Sequence, residues 1–322
     1  MAQESAGPVA WLERHQVPVY LAAMAVGAGT GLIAPTVRTG LEHAINPVLG
    51  ALLYVTFLQV PAAELLRSLR DGRFLGAALV VNFVVVPLVV AGMFTFLPAD
   101  QAVRLGVLLV LLTPCVDYVI VFCGLAGGAS RRLLAATPLL LILQMLLLPV
   151  FLVLFMGSDL ADVVEIGPFI EAFVFLIVVP LTLAWLTQAW ARRHRSGVVV
   201  TEAMGTVMVP LMALTLLVVV ASQMPKLGGN FGVVAQVVPF YVGFLLIMAV
   251  AGWVVARLFR LGGRAIVFTG ATRNSLVVLP LALTLPDAYA IAAVVIVTQT
   301  LVEVIGMVIY VRAVPRLLLP TH

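Results

Sequence analysis

Ten stretches of about twenty apolar residues follow one another with short connections between them, each long enough for a helix to span the hydrocarbon core of a bilayer. They read as Val17–Pro35, Ile45–Leu66, Phe74–Phe96, Leu105–Ala126 and Leu133–Phe155, then Phe169–Ala189, Ala203–Ala221, Gly232–Ala256, Ile266–Leu285 and Ala288–Val311. Hydrophobic residues are 63% of the 322 and charged residues 10%, against about 45–50% and about 25% in a soluble domain. No water-soluble fold hides that much apolar surface, so lipid is the solvent for most of the chain. Ten passes with short loops leave no room for a soluble catalytic domain.

The polar stretch from Met1 to Gln16 lacks the basic start, short apolar core and small-residue cleavage site of a signal peptide, so the first apolar segment reads as a retained anchor. Alternate connections carry Arg67, Arg70 and Arg73; Arg131 and Arg132; Arg192, Arg193 and Arg195; and Arg257, Arg260 and Arg264. With Arg14, Arg312 and Arg316 they make 14 basic residues on one side, against 3 on the other: Arg38, Arg104 and Lys226. One of the opposite loops is acidic, with Asp159, Asp162 and Glu165. The positive-inside rule places both termini in the cytoplasm, and the net charge of +4 is topological rather than a nucleic-acid footprint. Five helices per half invert the second half relative to the first, the usual build of secondary transporters. The reading is one all-α integral membrane domain of ten transmembrane helices in two inverted five-helix repeats, residues 17–155 and 169–311.

Each half has an irregularity in its fourth helix. The run Leu111-Leu112-Thr113-Pro114-Cys115-Val116-Asp117-Tyr118 interrupts the fourth segment, where Pro114 removes a backbone donor and breaks or kinks the helix. The ninth has Thr269-Gly270-Ala271-Thr272-Arg273-Asn274-Ser275, small and polar where leucine would face lipid. Paired breaks put half-helix ends and free carbonyls near the midplane, where transporters bind cargo. Charge within a membrane costs about 2.5–3.5 kcal/mol on insertion scales and faces a cavity or a partner. Asp117, Arg273 and Glu303 are such charges. Either Arg273 pairs with Asp117 or Glu303 to lock the halves, or a carboxylate exchanges a proton during transport. Gln299 shares a helix face with Glu303, while Gln59 and Gln144 read as helix–helix hydrogen bonds. Cys115 and Cys123 are eight residues apart, about 12 Å along a helix, too far for a disulfide. Two thiols make no metal cage. The histidines fall in loops or tails, so no Ser/His dyad, paired intramembrane aspartates or metal cluster points to an enzyme.

These residues resemble the bile acid:sodium symporter superfamily and, within it, the arsenical-resistance arsenite permeases. Thr113-Pro114-Cys115 is similar to the Pro-Cys motif carrying the permeases' essential cysteine. Arg273-Asn274-Ser275 is similar to the motif of the broken ninth helix, and Leu301-Val302-Glu303-Val304 to the permeases' Val-Glu-Val motif. The resemblance implies a core domain in which the broken fourth and ninth helices cross near the midplane, a panel domain, and elevator-like or rocking alternation. The chain departs from the pattern twice. Val119 and Ile120 stand where sodium-coupled members carry serine and asparagine ligands, although Thr137 keeps one hydroxyl in the fifth helix. Ser275-Leu276-Val277-Val278 replaces Asn-Phe-Glu-Leu, which removes a carboxylate.

The reading is a secondary transporter in a bacterial-type plasma membrane, exporting arsenite or antimonite against protons with no cofactor. Cys115, Arg273, Asn274 and Ser275 bind the cargo, with Cys115 the ligand to the metalloid. Asp117 and Glu303 carry the proton, and Thr113, Pro114, Thr137 and Gln299 support them. The alternative is a symporter of an organic anion, with Arg273 holding its carboxylate. Oligomeric state is open.

Overall fold

The computed structural model describes residues 11–12, 14–34, 36, 38–59, 71–116, 118–157, 167, 170–171 and 174–317. In lipid every backbone polar group must be satisfied within the chain, which leaves runs of Leu, Val and Ala one solution, the α-helix. Among the described residues there is no strand, only helices and one isolated backbone bridge. The helices are α1 (Gln16–Ile33), α2 (Arg38–Leu58), α3 (Gly72–Phe94), α4 (Gln101–Leu111), α5 (Tyr118–Leu125), α6 (Ser130–Met156) and α7 (Val174–Ala191). After these come α8 (Arg195–Thr206), α9 (Met208–Gly228), α10 (Phe231–Leu258), α11 (Arg264–Ala271), α12 (Ser275–Leu283) and α13 (Ile291–Leu317). Eight helices among the described residues are long and apolar enough to cross a membrane. Large apolar side chains such as Leu154, Leu246 and Ile309 lie on their outsides, a surface that only lipid or a partner accommodates.

The fourth and ninth apolar segments are each two short helices, α4 with α5 and α11 with α12, interrupted at the two predicted breaks. The seventh segment is shifted. Hydropathy placed it at Ala203–Ala221, but a helix break at Val207 separates the largely exposed α8 from α9, which runs on through Ser222, Gln223 and Lys226. The polar residues that ended the segment on hydropathy find partners in α2: Lys226 pairs with Glu42 at 3.0 Å and Gln223 donates to Glu42 at 3.3 Å. Several sequence-based expectations lie outside the described residues: the segment ends Pro35, Leu66 and Phe169, the loop residues Arg67, Arg70, Asp159, Asp162 and Glu165, and the N-terminal stretch up to Ala10.

The chain divides into two compact units, Met1–Pro61 with Phe175–Gly229, and Ala62–Val174 with Asn230–His322. In the first, α1 lies backbone-to-backbone against α9 through Gly27 and Gly31, a small-xxx-small spacing. A Cβ on Gly27 would stand 2.7 Å from the Leu217 carbonyl oxygen, and one on Gly31 2.5 Å from that of Ala221. The Tyr54 and Thr187 hydroxyls bond at 2.9 Å, and Gln188 donates to the Phe57 and Leu58 carbonyls, tying α2 to α7. Gln59 reaches the Met208 sulfur at 2.6 Å, an interhelical contact as its isolated polarity implied. Gly31→Leu is expected to destabilise this unit by about 3 kcal/mol, because a backbone cannot yield to a new side chain as a rotamer can. Gly29→Leu, whose Cβ would meet nothing within 4 Å, is the matched control. Thermal unfolding in detergent reads both, and equal midpoints for the two variants would refute the close packing.

In the second unit Asp71 accepts from the Phe74 amide at 3.3 Å, and Asp100 from the Ala102 and Val103 amides at 2.8 and 3.0 Å. These are N-caps that satisfy donors no helix can. A π turn at Val81–Val85 widens α3 just before Pro87, and another at Val174–Val178 widens α7 just before Pro180. Proline has no N–H for the carbonyl one turn back, and the wider turn accommodates the defect. Gly106 lets α4 press against α13, its Cβ position 2.9 Å from the Ala292 carbonyl. Arg264, counted above among the topological arginines, also caps α5 by donating to Ala126 and Gly127.

Candidate functional site

The two breaks meet within the second unit. Pro114 and Arg273 face each other in an antiparallel bridge. On either side, the Cys115 amide donates to the Thr272 carbonyl at 3.2 Å and the Asn274 amide to the Thr113 carbonyl at 2.8 Å. The joint is reciprocal: Thr113 corresponds to Thr272, Pro114 to Arg273 and Cys115 to Asn274. Each threonine hydroxyl also bonds back to its own half-helix, Thr113 to Leu109 and Thr272 to Phe268. Pro114 occupies the position whose N–H has no role in the ladder, so a residue that breaks the helix costs the joint nothing.

Arg273 is fully buried. Its Nη2 donates to Asn82 Oδ1 at 2.8 Å and to the Thr269 and Gly270 carbonyls at 2.6 and 2.8 Å, and its Nη1 to the Leu111 carbonyl at 3.3 Å. The guanidinium lies 5.7 Å from the Phe244 ring centroid, within cation–π range. Of the two pairings the sequence leaves open to Arg273, the direct ion pair with Glu303 is not formed, and Asp117 lies outside the described residues. Glu303 takes the main-chain N–H of Arg273 at 2.8 Å instead, because the side chain turns back toward the free C-terminal carbonyls of α4 and α11. Glu303 also accepts from the Tyr118 hydroxyl at 2.7 Å and from the Gln299 amide one turn earlier on α13. Tyr118 also reaches the Arg273 carbonyl at 3.3 Å. One carboxylate thus holds α5, α13 and the break before α12 together.

Asn274 caps α12 through its side-chain oxygen on the Val277 amide, and Ser275 accepts from Thr300 at 2.7 Å. Three buried polar atoms here have no hydrogen-bond partner among the described residues: Asn274 Nδ2, Gln299 Oε1 and Arg273 Nε. Buried polar groups are normally satisfied, and donors and an acceptor left open at a helix break fit a place for a polar guest. Cys115 is buried, and neither it nor Cys123 is in a disulfide.

The structure therefore gathers Thr113, Pro114, Cys115, Arg273, Asn274, Ser275, Gln299 and Glu303 in one connected cluster. Thr137 is buried in α6 with its hydroxyl on its own Leu133 carbonyl, and no hydrogen bond among the described residues links it to the cluster. Asp117 lies outside the described residues. Gln144 was expected to bridge helices, yet among the described residues neither its amide oxygen nor its nitrogen has a partner. Asn82, which holds both the guanidinium and the Thr269 hydroxyl, was not singled out in the sequence. Its one signal there is an amide within an apolar run, the same signal that Gln144 gives. Tyr118 and Thr300 were visible only as neighbours of the named residues.

The profile of the sodium bile acid symporter family matches residues 46–231, more than half of the chain. The chain belongs to that family, whose members are solute transporters and not enzymes. It is thus a multi-pass membrane protein that binds a solute in the bilayer. No curated protein matches the chain.

Proposed function

We propose that this chain is a proton-coupled exporter of trivalent arsenic and antimony, with Cys115 as the single ligand to the metalloid. The observation that carries the reading is the position of Cys115 at the joint of the two broken helices, one residue from the bridge and opposite Thr272. Trivalent arsenic in water is mostly neutral As(OH)3 and prefers sulfur. The thiol exchanges with one hydroxyl, so an S–As bond forms, one water leaves and nothing is oxidised. Hydrolysis of the same bond returns the thiol and As(OH)3. One thiol gives reversible capture, whereas three would hold the cargo too tightly to release.

Proton coupling is supported by the aliphatic Val119 and Ile120 where sodium ligands would be needed, and by Glu303 as a buried carboxylate wired to the joint through Tyr118 and Arg273. The organic-anion alternative loses support from the geometry of Arg273. Both Nη atoms already donate to protein oxygens, which leaves Nε as the guanidinium nitrogen with no partner among the described residues, so a cargo carboxylate would meet one free nitrogen rather than a two-pronged fork. Ten passes in two inverted repeats, 17–155 and 169–311, with cytoplasmic termini, accord with each compact unit drawing on both halves and with the reciprocal joint.

The test is arsenite accumulation in cells that lack their own exporter. Wild-type protein is expected to lower it, Cys115→Ser to return it to the empty-vector level, and Cys123→Ser to behave as wild type. Equal retention with wild-type and Cys115→Ser protein would sink both the substrate and the role.

A further inference from the structure

The oxygens around Arg273 form a pattern of their own. Asn82 Oδ1 and the carbonyls of Leu111, Thr269 and Gly270 converge on the guanidinium, with no carboxylate among these four. Three of them are main-chain oxygens at the C-terminal ends of the half-helices α4 and α11, where the helix dipole is negative and the carbonyls have no intrahelical partner. Asn82, within the π turn of α3, supplies the fourth side, and the Phe244 ring of α10 faces the guanidinium. Every member of this shell is buried. Neutral oxygens from half-helix C-termini are the donor set with which transporters hold an alkali cation, and oxygen is the ligand that hard cations take.

We propose that Arg273 is a tethered cation occupying what would otherwise be an alkali-ion site. The positive charge that other members of a sodium-coupled family load from solution is here carried on the chain. A covalently attached charge cannot be released on one side of the membrane and rebound on the other. It therefore locks the four oxygens in place without entering the transport cycle, and the chain's coupling becomes independent of sodium. Removing the guanidinium leaves four inward-facing oxygens and a cavity of its size, which an alkali ion with water fits. The inference rests on the transporter reading but not on arsenite as cargo.

Thermal unfolding of the purified chain in detergent, without any cargo, tests it, with excess sodium, potassium or choline chloride as the only variable. Wild-type protein is expected to unfold at the same temperature in all three salts, and so is Arg273→Lys, which keeps a tethered charge. Arg273→Ala is expected to unfold several degrees lower in choline and to recover part of that loss in sodium or potassium, because an ion bound only by the folded state stabilises it by mass action. An alkali-ion shift in the wild type overturns the proposal, as does a folded Arg273→Ala indifferent to the three salts. Should Arg273→Ala survive purification only when sodium or potassium is present, that is the same rescue in another form. Should it survive in none, the wild-type and Arg273→Lys responses decide. A salt-indifferent wild type that fails to export arsenite would count against the cargo and leave the tethered cation standing.

Discussion

Glu303→Gln is expected to leave a folded protein that no longer moves cargo uphill, whereas Glu303→Leu is expected to lose the fold. The difference follows from what surrounds the carboxylate. It accepts from three donors: the Tyr118 hydroxyl, the Arg273 main-chain N–H and the Gln299 amide. A glutamine can turn its oxygen toward Arg273 and Gln299 and its amide toward Tyr118, whose hydroxyl still has the Arg273 carbonyl to donate to. Leucine offers nothing. Two buried nitrogen donors would then be orphaned at about 1–3 kcal/mol each, so the loss is about 4 kcal/mol, a large part of what keeps a domain folded. Glutamine takes up no proton in the working pH range, so uphill transport under an imposed pH gradient in proteoliposomes should fall to background while the unfolding midpoint stays near wild type. Uphill transport by Glu303→Gln at the wild-type rate would remove Glu303 from the coupling mechanism.

Asn82→Leu is expected to be the most damaging single change in α3. Its oxygen is the only side-chain acceptor on the guanidinium among the described residues, and its nitrogen serves the Thr269 hydroxyl at 3.1 Å and the Ala78 carbonyl at 2.9 Å. Removing one partner of a buried charge leaves that charge under-solvated, at about 3 kcal/mol or more. The cost is specific to the presence of the guanidinium. In an Arg273→Met background, Asn82→Leu should cost markedly less, and the shortfall in a double-mutant cycle measures the coupling between the two. Additive unfolding losses would mean that Asn82 acts on α3 alone.

The elements most readable in the sequence were those with a penalty attached. Pro138, Pro149 and Pro239 sit inside unbroken helices, so it is Pro114 together with the polar Thr113, Cys115 and Asp117, and Arg273 among Thr272, Asn274 and Ser275, that located both breaks without coordinates. The identity of the partners of Arg273 was not readable. Hydropathy registers Asn82 and Gln144 alike as single amides in apolar helices, yet one faces the guanidinium and the other has no partner among the described residues. Only the rotation of each helix against its neighbours separates them, and Asn82 sits within a π turn that its sequence does not announce. The pairing of Pro114 with Arg273 joins distant parts of the chain through main-chain atoms, which carry no residue-specific signal. The end of α9 was missed for a related reason. Gln223 and Lys226 read as a loop by polarity, although Glu42 on α2 supplies the countercharge that lets the helix continue.

The joint between the breaks is made of peptide groups alone: Cys115 to Thr272 and Asn274 to Thr113, with Pro114 and Arg273 between them. The Cys115 side chain takes no part in those two hydrogen bonds, so it can be exchanged without breaking either. A lineage could trade the thiol for a hydroxyl, an amide or a methyl group and keep the same hinge-point of the bundle, changing what is carried while conserving how the two half-helix pairs are held. On the proposed reading, scaffold and selectivity meet at Cys115 yet answer to different atoms, so new cargoes are reachable by single substitutions there from a protein that stays folded.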